Sequence, residues 1–198
     1  MRTVLLCLAA EALNFACVLL FRDALCVPLF ADTVGTVAAT FCAGLVPGLV
    51  VAILFNVLRA LELSVAGGGA LYPWDMLYAL SGAAIVLCTW AFSRKRENFC
   101  MNGTVTVLYL VLIALVSAFA SSIVGGAVEA MNRRLFSGMV YTSPTEHFVR
   151  AFLGEQLGLP VACVIARIPV SVLDRLVCTF SGFGVYRLAA QKGGPHCG

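Results

Sequence analysis

Polar side chains inside the first apolar stretch, residues 3–21, are the groups best placed to do chemistry near the start of this sequence. Glu11 and Asn14 stand three residues apart, and on a helix that turns about 100° per residue they share one face. A carboxylate in hydrocarbon costs about 2.5–3.5 kcal/mol, so we expect this face to point into a helix bundle. Ala12 and Ala16 share roughly the opposite face. They could pack inside the same bundle or dock on a separate helix, and helix geometry favours neither alternative.

Charged residues near the other end of the sequence also stand at helical spacing. Arg167, Ser171 and Asp174 occupy positions i, i+4 and i+7, which share one face of a helix. Arg175 points away from that face. A structural role, in which an arginine neutralises Asp174 near the membrane edge, and a role in substrate binding both fit this pattern.

Charged, amide and aromatic side chains gather where we expect the third, fourth and fifth helices to reach one face of a membrane. Within this group Glu129 and Arg133 stand at i, i+4, and we interpret them as an ion pair at the protein surface. Aromatic rings at that depth usually anchor a helix at the interface, but together with amides and charges they also suit a small polar ligand. We predict a substrate-binding site lined by the loop between the first and second spans together with Asn56, Arg59, Tyr72, Trp74, Asp75 and Asn132.

Several kinds of chemistry lack the residues that they need. No nucleophile elbow, P-loop or HExxH motif occurs, and there are only two histidines, so the sequence predicts neither an enzyme nor an ATPase. The nine cysteines form no CxxC pair and no Cys/His cluster at metal spacing, which favours buried thiols over disulfides and predicts no metal and no cofactor. A net charge of +3 does not indicate nucleic-acid binding.

The elements that must position these residues are apolar helices. The sequence is 61% hydrophobic and 12% charged, whereas a soluble domain is about 25% charged. We therefore predict an all-α integral membrane protein, with a single transmembrane domain over residues 1–198 and a bundle of about six transmembrane helices. The predicted spans cover residues 3–21, 32–44, 47–62, 74–92, 104–131 and 156–188.

Several local signals refine this plan. Ala10-Glu11-Ala12 resembles a signal-peptide cleavage site, but the apolar run resumes at once, which favours a continuous first helix. Residues 44–48 predict a tight turn between the second and third spans. Pro160 and Pro169 are expected to begin or kink the last span. Residues 145–153 predict a short interfacial helix.

Two stretches carry a resemblance to a known family. Pro28–Thr36 reads PLFADTVGT and Ala43–Gly48 reads AGLVPG, and Asn56 follows them. Together they resemble the substrate-binding S components of energy-coupling factor (ECF) transporters, most clearly over residues 12–62. Similar stretches occur in membrane sensor domains of bacterial kinases.

The resemblance implies a small protein of six helices in the inner membrane of a bacterial cell. Such a protein binds a vitamin or similar micronutrient from outside and docks on a separate membrane scaffold subunit, which two ATPase subunits drive. An A-x-x-x-A pattern on the first helix makes the dock, and Ala12 and Ala16 match that pattern. No riboflavin, thiamine or biotin pattern is present, so the substrate stays open.

Orientation follows from positive charge. Six spans place both termini on one side, and the Arg94-Lys95-Arg96 cluster assigns that side to the cytoplasm.

A membrane sensor module that acts through a partner protein is the alternative function. We expect the transporter component because the sequence contains no kinase or output segment. A lipid-modifying membrane enzyme is a third alternative, which the missing catalytic motifs disfavour.

Overall fold

The computed structural model describes residues 2–25, 29–66, 76–94, 99, 102–135 and 145–192. Within these ranges the chain is all-helical, with seven α-helices and no strand, which confirms the predicted fold class at that level. The helices are α1 (Arg2–Val18), α2 (Val34–Ala43), α3 (Leu45–Ala66), α4 (Tyr78–Ser93), α5 (Gly103–Leu135), α6 (Glu146–Gly154) and α7 (Leu159–Lys192).

Three helices are long and apolar enough to cross a membrane, judged by length and composition. These segments are Arg2–Phe21, Leu45–Glu62 and Gly103–Leu135. Helices α2 and α4 are apolar but shorter. The 10 residues of α2 extend about 15 Å at 1.5 Å per residue, which is half of a hydrocarbon layer of about 30 Å. The predicted count of six spans is therefore not confirmed.

The first helix is continuous through Ala10–Ala12, as the resumed apolar run predicts. It does not end at Val18, because a π-helix, Leu19–Ala24, extends it. In this wider turn the N–H of Leu25 donates to the carbonyl of Leu20 at 2.9 Å. The first helix thus continues three residues beyond the predicted end at residue 21, to Ala24.

The predicted turn over residues 44–48 is shorter than expected. Only Gly44 interrupts the helices, with a φ of 87° that lies in the left-handed region and favours glycine. Helix α3 begins directly at Leu45, so Pro47 lies in its first turn. Proline is tolerated there because N–H groups in the first turn have no acceptor within the helix.

The fifth and last helices also differ slightly from their predicted bounds. Helix α5 continues past the predicted end at residue 131, which places Asn132 in the helix rather than in a loop. Helix α7 begins at Leu159, so Pro160 lies in its first turn, and Pro169 lies inside the helix as expected. The short helix predicted over residues 145–153 is present as α6, Glu146–Gly154.

Helix α2 contacts four other helices, α1, α3, α4 and α7, and α7 in turn packs on α5 and α6. Two glycines allow the closest approaches. A Cβ atom on Gly126 of α5 would lie 2.7 Å from the Cα of Val164 on α7, and one on Gly35 of α2 would overlap the carbonyl oxygen of Ala10 on α1. One end of the bundle holds an aromatic and aliphatic core of Val37, Phe41, Ile85, Leu110, Ile113 and Phe183.

The bundle exposes apolar side chains and buries charged ones. Leu5 is 69% exposed and Leu108 is 63% exposed, whereas Glu129, Asp174 and Arg175 are buried. Lipid accepts exposed leucine, and a bundle interior accepts charged groups that pair with one another. This distribution is compatible with a membrane protein.

Candidate functional site

The polar face of α1 points into the bundle, as predicted. Glu11 and Asn14 are both buried. The Asn14 carboxamide oxygen accepts the N–H groups of Gly35 at 2.7 Å and Thr36 at 3.4 Å, while its Nδ2 donates to the Thr36 hydroxyl at 3.0 Å. The first N–H groups of a helix have no partner within it. Asn14 therefore caps α2 from a neighbouring helix, which is a structural role.

The opposite face of α1 is open. Ala12 and Ala16 are exposed, so the alternative that these alanines pack inside the bundle is wrong. Helix α1 packs on α2 and α3 through its other side. The two alanines remain available to lipid or to a partner helix.

The structure describes three of the predicted binding residues, Asn56, Arg59 and Asn132, and it gives the two on α3 partners within their own helix. Asn56 donates to the carbonyl of Ala52 in its own helix at 2.8 Å, and Arg59 pairs with the exposed Glu62. Both lie on α3, which packs on α1, α2 and α4, whereas the buried Asn132 lies on α5, which packs on α4 and α7. Tyr72, Trp74 and Asp75 lie outside the described residues.

A different set of residues converges near the start of α7, and we call it the Arg167 cluster: Phe30, Tyr78, Glu129, Arg133 and Arg167. Nη1 of Arg167 donates to Oε2 of Glu129 at 2.8 Å. The guanidinium carbon lies 5.2 Å from the ring centre of Phe30 and 5.4 Å from that of Tyr78, within the range of cation–π attraction. Four parts of the chain thus meet: the segment before α2, the start of α4, the end of α5 and α7.

The second carboxylate oxygen of Glu129 is also occupied. Arg133 donates to Oε1 through Nη2 at 2.8 Å and through Nε at 3.2 Å. Glu129 is 1% exposed, so the prediction that this is a surface ion pair is wrong. The i, i+4 spacing is correct, but the pair faces α7 rather than solvent.

The ion pairs continue from the Arg167 cluster to α6. Arg133 also pairs with Glu146, which accepts a hydrogen bond from Nε of Arg150 at 2.6 Å. Burial raises the pKa of Glu146, but the hydrogen bonds and charges of Arg133 and Arg150 outweigh burial and hold the pKa below its usual value. These pairs fasten the short helix α6 to the end of α5.

A second buried group, which we call the mid-helix cluster, lies further along α7. Asp174 accepts the N–H of Ala31 at 2.6 Å and a hydrogen bond from Nε of Arg175 at 2.9 Å. Arg175 also bonds the hydroxyl of Thr33 and reaches Asp32 at 3.4 Å. The expectation that Arg175 points away from Asp174 is therefore wrong, because its long side chain folds back. The structural alternative for Asp174 is the better one.

The Arg167 cluster keeps one unused donor. Nε of Arg167 is buried and has no hydrogen-bond partner among the described residues. The spacing of Arg167, Ser171 and Asp174 did point to this helix face, but Phe30 and Tyr78 lie far from it in sequence, and no spacing rule joins them to Arg167. Within the described ranges no three His, Cys, Asp or Glu residues could hold a metal ion.

We compared the chain with protein-family models, with curated protein sequences and with solved structures, and none of the three comparisons found a match. Function must therefore be argued from the geometry of the residues themselves.

Proposed function

We propose that this chain is the substrate-binding S component of an ECF-type transporter that takes up a vitamin or similar micronutrient across a bacterial inner membrane. It binds its substrate from the outer side and docks on a separate scaffold subunit with two ATPase subunits. The chain itself performs no catalysis.

The observation that carries this proposal is the convergence at Arg167. An arginine held by Glu129 and flanked by the rings of Phe30 and Tyr78 supplies charge, hydrogen bonds and aromatic surface in one place. Ligand sites combine apolar walls with a few fixed polar groups. We propose this cluster as the substrate site in place of the predicted residues on α3.

The orientation that the positive-inside rule predicts agrees with an outer site. If both termini are in the cytoplasm, the end of α5 and the starts of α4 and α7 are on the outer side. Tyr78, Glu129 and Arg167 belong to these ends. A substrate arriving from outside would therefore reach the Arg167 cluster first.

The open face of α1 supports docking. Ala12 and Ala16 leave a flat, exposed surface, and small residues at this spacing allow two helix backbones to approach closely. The buried Glu11 and Asn14 fix the rotation of α1, so this face stays turned outward from the bundle.

Affinity purification from native membranes tests the proposal. The tagged parent chain should co-purify with one membrane scaffold and two ATPases, identified by mass spectrometry. Ala12→Trp and Ala16→Trp should lose these partners, since an indole holds the backbones apart. Leu108→Trp is the matched control, because Leu108 is an exposed apolar position on α5.

Two results would contradict the proposal. Recovery of the same scaffold with the two tryptophan variants on α1 would remove α1 as the dock. Recovery of a kinase or another signalling protein in place of the ATPases would favour the sensor module.

A further inference from the structure

We propose that the Arg167 cluster binds a small molecule through an oxyanion, either a carboxylate or a phosphate group, with Arg167 as the anchor. The inference rests on the proposed function, because it names the chemical class of the substrate for that same site.

The first step concerns the free donor. Arginine carries five N–H donors in a planar fork, and a carboxylate or phosphate can accept two of them side by side. Nη1 of Arg167 donates to Glu129, while Nε is buried and has no partner among the described residues, and the residue as a whole is 8% exposed. A buried donor without a partner typically costs about 1–3 kcal/mol. A ligand oxygen at Nε would remove that cost.

Glu129 does not bond this donor in the described structure. Oε2 of Glu129 already accepts from Arg167, and Oε1 accepts two hydrogen bonds from Arg133. Glu129 is thereby fixed between two arginines. It positions Arg167 and leaves the Nε edge of the guanidinium for another acceptor.

The neighbouring surface of α5 is free of side chains at this point. A Cβ atom on Gly125 would lie 3.0 Å from Nε and 3.1 Å from Nη2 of Arg167, so the missing side chain lets this edge of the guanidinium lie close to the backbone of α5. Ser122 stands seven residues before Glu129, which places both on one face of α5. The hydroxyl of Ser122 is buried and has no hydrogen-bond partner in the described part of the chain. Two unused polar groups thus flank Gly125.

The buried part of this network is balanced in charge. Its ion pairs join two arginines and two glutamates, namely Arg133, Arg167, Glu129 and Glu146, whereas the side chain of Arg150 beyond them is 69% exposed. The preference for an oxyanion over a neutral ligand therefore rests on the guanidinium donors of Arg167, which bond most strongly to charged acceptors.

Thermal unfolding of the purified full chain in nanodiscs of zwitterionic lipid tests the assignment. The probes are benzoate, inorganic phosphate and benzamide, which has the shape of benzoate without its charge. Benzoate or phosphate should raise the unfolding midpoint with concentration, as a ligand of the folded state does, whereas benzamide should not.

Two variants locate the effect. Arg167→Lys keeps a cation beside Glu129 but has no Nε donor, and it should weaken oxyanion binding at least about tenfold. Gly125→Ala keeps every charge and adds a methyl group at the Nε edge, so it should weaken binding even if the lysine variant fails to fold. Arg187→Gln is the control, since Arg187 also lies over a ring, that of Phe183, but at the opposite end of α7.

Three outcomes would overturn the assignment: no oxyanion probe stabilises the chain, benzamide stabilises it as strongly as benzoate, or both variants bind as the parent does. Stabilisation only in nanodiscs that contain phosphatidylglycerol would assign the oxyanion to a lipid and would also overturn it. The membrane purification described above is independent of these probes. Scaffold recovery without oxyanion binding therefore refutes the ligand class alone, and the reverse refutes the transporter alone.

Discussion

At the scale of single residues, Asn14 is the clearest case of a polar side chain that serves the fold. Its carboxamide satisfies the first N–H groups of α2, with bonds to Gly35 and Thr36. Asn14→Ala should leave these buried donors unpaired and lower the free energy of unfolding by about 1–3 kcal/mol. Thermal or denaturant unfolding in detergent measures this loss.

Asn102→Ala is the matched control for Asn14→Ala. Asn102 also accepts an N–H at the start of a helix, that of Thr104 at 3.2 Å, but this bond is exposed. Water can replace an exposed partner, so the control should lose much less stability. Equal losses of unfolding free energy in both variants would show that burial does not make the Asn14 cap more stabilising than the exposed one.

Glu146 gives a residue-level prediction about pH. Arginine neighbours lower its pKa from 4.5, so the ionised carboxylate stabilises the folded state above the usual pKa and ceases to do so as pH falls through the lowered one. Glu146→Gln should therefore be less stable than the parent at neutral pH. The difference in unfolding midpoint should shrink below about pH 4.5. Glu155→Gln, at an exposed position, is the matched control at neutral pH and should lose less stability there.

At the scale of helices, the contact between α5 and α7 depends on Gly126. A Cβ atom there would lie 2.7 Å from the Cα of Val164, so Gly126→Ala must push the two backbones apart. Overpacking of this kind costs about 1–3 kcal/mol, which a lower unfolding midpoint would reveal. Gly184→Ala on α7 meets no atom within 4 Å and should be neutral or slightly stabilising, because alanine favours the helix. A harmless Gly126→Ala would contradict the close approach.

The apolar runs of the sequence predicted where these helices lie, but not whether each helix is long enough to cross a membrane. The run over residues 32–44 is apolar enough to suggest a span, yet α2 occupies only Val34–Ala43. The i, i+4 pair of Glu129 and Arg133 would look the same on a surface as in the interior. The pair is buried because α7 packs against it and Arg167, 38 residues further along the chain, bonds Glu129. Local spacing contains no information about such distant partners.

At the scale of the whole molecule, orientation is the property that the positive-inside rule predicts. Cys100 and Cys197 should react with a membrane-impermeant maleimide only when the cytoplasmic side is open. Cys178 is the internal control, because it is fully buried and should react from neither side. Labelling of Cys100 or Cys197 in intact cells would reverse the orientation and move the Arg167 cluster to the cytoplasmic side.

The bond between Ala31 and Asp174 also constrains how the molecule is made. The N–H of Ala31 finds its acceptor 143 residues later in the chain, and α2 beside it is too short to enter a bilayer as a span of its own. During synthesis the segment around Ala31 therefore lacks this acceptor until α7 has been translated. A nascent chain that stops before α7 is expected to leave this segment for quality-control proteases.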